Sequence, residues 1–264
     1  MFLEENIMEK KENVKKQKTC YTEEELKLIV AENTTKENLR YLYDEPYVKK
    51  YRYIKHSKTK THYDVIAEQL LKLEQNQGLE NFFQDRIKTI KRKVRKNNNM
   101  IYLTESHNAQ KEKEKALSHK KPLTEKWLAK SMLKNQYKYI GEIIDYEIPI
   151  NEKDSDGAGK IDLLAYNRNT NSIFIIELKK ENSTETILRA ILEICTYYYQ
   201  IDRDQLIKEY ADPVFSDTKV KKVVLVFKGS LQHEQFNKSE SIQKLAKKLN
   251  IDICLIDNDQ IVKL

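Results

Sequence analysis

The stretch GKIDLLAYNRNTNSIFIIELKK, residues 159–180, sets two apolar runs on either side of an Asn-rich turn. Positions 173–178 hold five apolar residues interrupted by Glu177 and followed by Lys179. A carboxylate or ammonium taken out of water costs several kcal/mol unless it is paired or metal-bound. Residues i and i+2 on a strand point to one side, so Glu177 and Lys179 share a face. If the two runs pair as a hairpin with Asp162 opposite Glu177, the loop is 167–172, where the turn-forming residues lie. That register gathers Asp162, Glu177 and Lys179 at one end of two otherwise apolar strands. Two carboxylates, a strand carbonyl and water suit a hard divalent cation such as Mg²⁺. Such an ion lowers the pKa of bound water, and Lys179 can orient that water or neutralise developing negative charge. The competing reading is a salt-bridge cluster at a sheet edge.

The flanks supply the rest of an α/β pattern. LTEKWLAKSMLKN, from Leu123, reads as a helix, YIGEIIDYEIPI as one or two strands, and STETILRAILEICTYYYQI as a long helix. VKKVVLVFK is a β-branched buried strand, SESIQKLAKKLN a helix and IDICLID a terminal strand. The order α, three β, α, β, α, β predicts an α/β sandwich with a mixed sheet over residues 120–264.

An Asp early on one strand, E-x-K closing the next, an acidic helix before them and a long helix after them resemble the PD-(D/E)xK nuclease superfamily. The resemblance spans about 124–226. It implies a restriction-endonuclease-like mixed sheet flanked by helices, an αβββαβ core with an extra helix and strand. It also implies that Asp162, Glu177 and the Leu178 carbonyl are ligands of Mg²⁺ or Mn²⁺, that Lys179 is the catalytic lysine, and that Glu125 is the helix-borne acidic residue. The RecB-like branch carries Gln-x-x-x-Tyr on the next helix; here Glu193 and Tyr197 hold that spacing, so the Gln is absent.

Ahead of this unit, residues 1–18 read as a mixed-charge disordered tail and 19–110 as a mainly helical, basic region. Thr22 with Glu25 and Thr34 with Glu37 are helix-start patterns, Pro46 reads as a stop, and Gly78 divides two helices in 63–96. The net charge is +7, and residues 45–96 alone carry fourteen Lys/Arg against six Asp/Glu. That regional excess suits a polyanion. Lys88, Lys91, Arg92, Lys93, Arg95 and Lys96 form its densest run, with Lys88, Arg92 and Arg95 on one face if the run is helical. A solvated lysine-rich face is the alternative. Cys20, Cys195 and Cys254 are isolated, which points to a reducing cytoplasm, and no 18-residue apolar run suggests a membrane span.

These readings converge on metal-dependent hydrolysis of DNA phosphodiesters, of endonuclease type, in restriction, phage defence or repair. Replacing Asp162 or Lys179 with Ala is then expected to stop cutting without unfolding the chain. The alternatives are a catalytically silent nucleic-acid-binding protein on the same fold, or an RNA nuclease. A homodimer is compatible with all three.

Overall fold

The computed structural model describes residues 20–34, 40–73, 78–91, 102, 114–115, 118, 124–150, 159–214 and 217–264. The tail at 1–18 and the basic positions Arg92, Lys93, Arg95 and Lys96 lie outside the described residues. The protein is a mixed α/β structure in which N-terminal helices precede a seven-stranded mixed sheet with interspersed helices.

Among the described residues five helices come first: α1 (Glu23–Thr34), α2 (Arg40–Tyr43), α3 (Pro46–Lys49), α4 (His62–Lys72) and α5 (Leu79–Gln84). The Thr22/Glu25 capping box closes as expected, with Thr22 N donating to Glu25 Oε2 at 2.9 Å and Glu25 N to Thr22 Oγ1 at 3.3 Å. Thr61 and Asp64 form a second box at the start of α4. Three expectations fail here. Thr34 ends α1 instead of opening the next helix, its hydroxyl donating to Val30 O at 2.8 Å, and Glu37 lies outside the described residues. Pro46 opens the single turn of α3 at its first position, where the missing N–H costs nothing. The helix after Gly78 ends at Gln84, and residues 88–91 run on without helical structure.

The sheet follows α6 (Glu125–Met132). Its strands are β1 (Gln136–Tyr137), β2 (Gly141–Pro149), β3 (Lys160–Asn167), β4 (Ser172–Leu178), β5 (Lys219–Phe227), β6 (Ile251–Asp257) and β7 (Gln260–Lys263), in that spatial order. β1 to β4 are antiparallel, β4 to β6 parallel, and β7 antiparallel to β6. Between them lie α7 (Ile187–Gln200), α8 (Arg203–Tyr210), α9 (Leu231–Lys238) and α10 (Glu240–Lys248). α8, α9 and β7 go beyond the expected elements. β7 returns through Asn258 and Asp259, both at positive φ (46° and 60°), the two-residue turn that a twisted hairpin favours.

β4 explains its own sequence, because every one of its residues is buried. Ile173 and Ile175 enter an apolar cluster with Ile187, Ile191 and Ile194 of α7. Phe174, Ile176 and Leu178 enter the cluster on the other face with Ala129 and Met132 of α6. A central strand covered on both faces reads as a continuous apolar run. The N-terminal helices join the first cluster through Leu26, Val30, Ile66, Leu70 and Phe83. Lys222 of β5, itself buried, reaches Glu80 of α5 at 2.8 Å. The helical region therefore packs directly onto the helix face of the sheet.

Residues 88–91 are pulled out of helical form by α7. Ile90 N donates to Gln200 O at 2.7 Å and Thr89 Oγ1 to Tyr199 O at 3.2 Å, satisfying carbonyls that the end of α7 leaves open. Ile87 is buried beside them.

Candidate active site

The β3–β4 hairpin has the register that the sequence predicts. Leu163 pairs with Ile176 and Asn167 with Ser172 around a 3-10 turn at Arg168–Thr170, and the same register continued places Asp162 across from Glu177. Asp162 Oδ2 accepts from Leu178 N at 2.8 Å, which fixes the carboxylate at the strand end. Lys179 N donates to Leu225 O at 2.9 Å, extending the parallel pairing one residue past β4 and holding the lysine backbone in line.

Glu177 and Lys179 are both buried, at 3% and 2% exposure. The Lys179 ammonium lies 2.7 Å from Glu177 Oε1, 2.9 Å from Glu185 Oε2 and 3.6 Å from Glu193 Oε2. Arg189 and Glu193 lie four apart on α7 and so share a face, and Glu185, two residues before the helix begins, joins them through its pair with Arg189. Arg189 bridges its two neighbours, reaching Glu193 at 2.9 Å and pairing with Glu185, and it approaches Asp44 at 3.7 Å. Tyr197 Oη donates to Glu193 Oε1 at 2.9 Å. Gly159 permits that bond: it sits at φ +90°, and a Cβ there would lie 2.3 Å from Tyr197 Oη. From the other side of the sheet, Glu125 at the start of α6 accepts from Lys180 N at 3.4 Å. Thr124 caps that helix by accepting from Trp127 N.

Carboxyl groups outnumber cations here: among the described residues, Asp162, Glu177, Glu185 and Glu193 are gathered around Lys179 and Arg189. Burial pushes the Asp162 carboxyl up to about 7, against the opposing pull of Lys179 and the Leu178 N–H. Burial, with Asp162 and Glu193 nearby, holds Glu177 well above the ordinary carboxylate range. Burial alone would lower Lys179, but the carboxylates of Glu177, Glu193 and Glu185 more than reverse it, so its ammonium is held charged. Glu185 is the carboxylate that stays low: Lys179 and Arg189 outweigh its burial.

The structure thus brings Asp162, Glu177, Leu178, Lys179 and Glu125 to one strand end. It adds Glu185, Arg189 and Glu193, of which only Glu193 stood out in the sequence. Among the described residues no group of three or more His, Cys, Asp and Glu converges as a ready-made metal cage. The donors present still fit a hard divalent ion: they are oxygens, and two of the carboxyls lie side by side with raised pKa values that a bound cation would lower. Lys88 and Lys91 are placed elsewhere. Their segment is tied to the far end of α7, about 16 Å along the axis from Arg189 at 1.5 Å per residue. A cavity lined by Lys134, Tyr166, Arg168 and Tyr210 is likewise at the opposite end of the strands.

Cys195 and Cys254 are free and buried, and burial pushes both thiols up to about 12, which makes them inert as nucleophiles. No helix among the described residues is long and apolar enough to cross a membrane. Compared with protein-family models, curated proteins and solved structures, the chain matches none.

Proposed function

We propose that the protein is a metal-dependent nuclease of PD-(D/E)xK type that hydrolyses DNA phosphodiesters at the cluster around Glu177. The observation that carries this reading is the pairing of Asp162 with the end of β4, where its carboxylate accepts from Leu178 N beside the buried Glu177–Lys179 pair. A surface salt-bridge cluster has no need to bury a lysine with three carboxylates, since an ion pair withdrawn from water recovers its desolvation cost only with difficulty.

Asp162, Glu177 and the Leu178 carbonyl would hold Mg²⁺ or Mn²⁺, which when bound supplies Lewis-acid polarisation of the phosphate and an acidified water. The chain's own residues do the remainder. Lys179 carries a permanent positive charge at the strand end, where it can orient the attacking water or offset charge developing on the phosphoryl oxygens. Glu185 and Glu193 hold that ammonium in place, and Arg189 spans the two so that neither carboxylate is left alone. Tyr197 fixes Glu193. Glu125, across the sheet, adds an acidic group at the Lys180 amide.

The test is incubation of purified protein with supercoiled, linear and single-stranded DNA in Mg²⁺, in Mn²⁺ and in chelator, alongside Asp162→Asn. Metal-dependent cutting that Asp162→Asn removes is expected; cutting that survives it takes Asp162 out of the chemistry. A second reading, a catalytically silent nucleic-acid-binding protein, is favoured by one feature: Lys179 already occupies Glu177 Oε1. Calorimetry decides between them, since DNA binding without any Mn²⁺ binding would select the silent protein.

A further inference from the structure

We propose that Tyr51 and Tyr53 form a stacking platform for an unpaired nucleic-acid strand on the segment anchored beside Glu185 of the Glu177–Lys179 site. The proposal rests on the nuclease reading for what happens to the strand next, while strand binding itself does not.

The segment carrying the two tyrosines is anchored to the site. Lys50 forms an isolated antiparallel bridge with Glu185, and Thr186 N donates to Lys49 O at 3.0 Å. The Thr186 hydroxyl also donates to Val48 O. Glu185 is the residue whose carboxylate contacts Lys179 at 2.9 Å. Adjacent Cα atoms are 3.8 Å apart and antiparallel partners about 5 Å, so Tyr51 Cα is within about 9 Å of Glu185 Cα.

Beyond the bridge the chain is extended, and side chains two apart share a side. Tyr51 and Tyr53 meet edge to face, with centroids 5.5 Å apart, and their hydroxyls bond at 2.9 Å. Tyr51 leans in turn on Tyr63, centroids 5.8 Å apart, and Tyr63 is buried at the start of α4. The outer pair is therefore backed by the core, yet it is 37% and 42% exposed. Single exposed aromatics are ordinary on protein surfaces. These two differ in being mutually fixed, joined to the candidate site, and flanked by the exposed Lys50, Lys55 and Lys58, none of which makes an ion pair with a described residue.

Rigid aromatic faces among uncompensated cations suit a strand whose bases are open. Bases in a duplex have both faces stacked already, so the tyrosines offer them nothing and only the lysines would contribute. An unpaired strand gains from both.

The measurement is binding of labelled oligo(dT) and of a hairpin duplex of equal charge, in chelator so that no cutting intervenes. The Tyr51→Ala/Tyr53→Ala double variant is expected to lose about tenfold or more in oligo(dT) affinity, from the stacking worth of one or two bases. It should leave duplex affinity and the salt slope unchanged, while Tyr51→Phe/Tyr53→Phe keeps oligo(dT) binding within about twofold. Lys50→Gln/Lys55→Gln/Lys58→Gln should shallow the oligo(dT) salt slope by about 0.7 per lost contact. Thermal melting of each variant separates lost binding from lost fold, and Tyr51→Leu/Tyr53→Leu, which keeps apolar bulk against Tyr63 but has no ring to stack on, stands in with the same expected loss if the Ala pair melts early. Unchanged oligo(dT) affinity, or equal losses on oligo(dT) and duplex, overturns the platform. Metal-dependent cutting of single strands that ignores the tyrosines overturns the platform and leaves the nuclease; tyrosine-dependent strand binding without cutting supports the platform and overturns the nuclease.

Discussion

Lys179 and Glu177 share one face at the end of β4 and are in contact, with the ammonium 2.7 Å from Glu177 Oε1 and both side chains buried. The lysine is thus structural before it is anything else, because it also compensates Glu185 and Glu193. Breaking a buried pair by removing one partner typically costs about 3–5 kcal/mol, since the other charge stays buried. Lys179→Ala is accordingly expected to lower stability as well as stop cutting, which revises the expectation from sequence that the variant would keep its fold. Urea unfolding of Lys179→Met at neutral pH measures the cost. An unshifted midpoint would mean that the surrounding carboxyls carry no net charge in the resting protein.

The raised carboxyls also make metal binding a proton-displacement reaction. The Asp162 carboxyl is pushed up to about 7, and Glu177 is held well above the ordinary carboxylate range. Mn²⁺ affinity should therefore climb with pH from about 5 to about 8, by up to tenfold per unit for each proton displaced. Calorimetry in buffers of different ionisation enthalpy would register the released protons. Stability runs the other way in the metal-free protein. A carboxyl whose folded pKa exceeds its unfolded value of about 3.9 favours folding below that value, and the benefit is lost as pH rises through the folded pKa. Metal-free protein should be less stable at about pH 8 than at about pH 5, and Mn²⁺ should narrow the gap. Affinity that ignores pH would remove Asp162 and Glu177 from the ligand set.

Glu193 and Tyr197 support a third expectation. Tyr197→Phe deletes a hydrogen bond to a buried carboxylate, worth about 1.5–3 kcal/mol. Gly159→Ala should be worse, because its φ of +90° strains any other residue and the new methyl would strike the Tyr197 ring and hydroxyl. Glu193→Gln keeps an acceptor for Tyr197 and restores the residue that the RecB-like resemblance lacks, so its cutting rate should stay within about tenfold of wild type, against a loss of about 10–100-fold for Glu193→Ala. Equal rates for the Gln and Ala variants would show that Glu193 does not position Lys179.

The hairpin was legible in the sequence because the turn-forming residues at 167–172 fix where the chain reverses, and the turn sets the register. That constraint alone set Asp162 across from Glu177. The companions of Lys179 were harder to see. Glu185 and Arg189 look like ordinary helix-surface residues, and only the packing of α7 over β4 shows that their face points at the strand end. Residues 88–91 depart from the expected helix for the same reason: intrinsic pattern favoured a helix there, whereas the open carbonyls of Tyr199 and Gln200 captured Thr89 and Ile90. β7 had a signal, the Asn258–Asp259 pair between Ile256 and Ile261, of the kind that two-residue hairpin turns select.

A further consequence comes from His62, at the first position of α4 and only 1% exposed. Its Nε2 accepts from Tyr21 N at 3.4 Å, its Nδ1 has no partner among the described residues, and its ring meets Tyr21 edge to face at 5.7 Å. Burial first, then Arg52, pulls its pKa down to about 4. A positive charge at a helix N-terminus would also oppose the helix dipole. Because the folded value lies below the unfolded 6.5, the unfolded chain takes up the proton first, and stability rises with pH between the two. The contribution is complete above about 6.5 and fades as pH falls toward 4, by about 3 kcal/mol in all. His62→Phe cannot accept from Tyr21 N and should be about 1 kcal/mol less stable than wild type at neutral pH. It has no proton to gain, so with the carboxyl contributions common to both proteins it should gain on wild type as pH falls, and the two urea midpoints should cross between about pH 6 and pH 5. Midpoints that stay parallel over that range would assign the acid sensitivity of the helical region to another group.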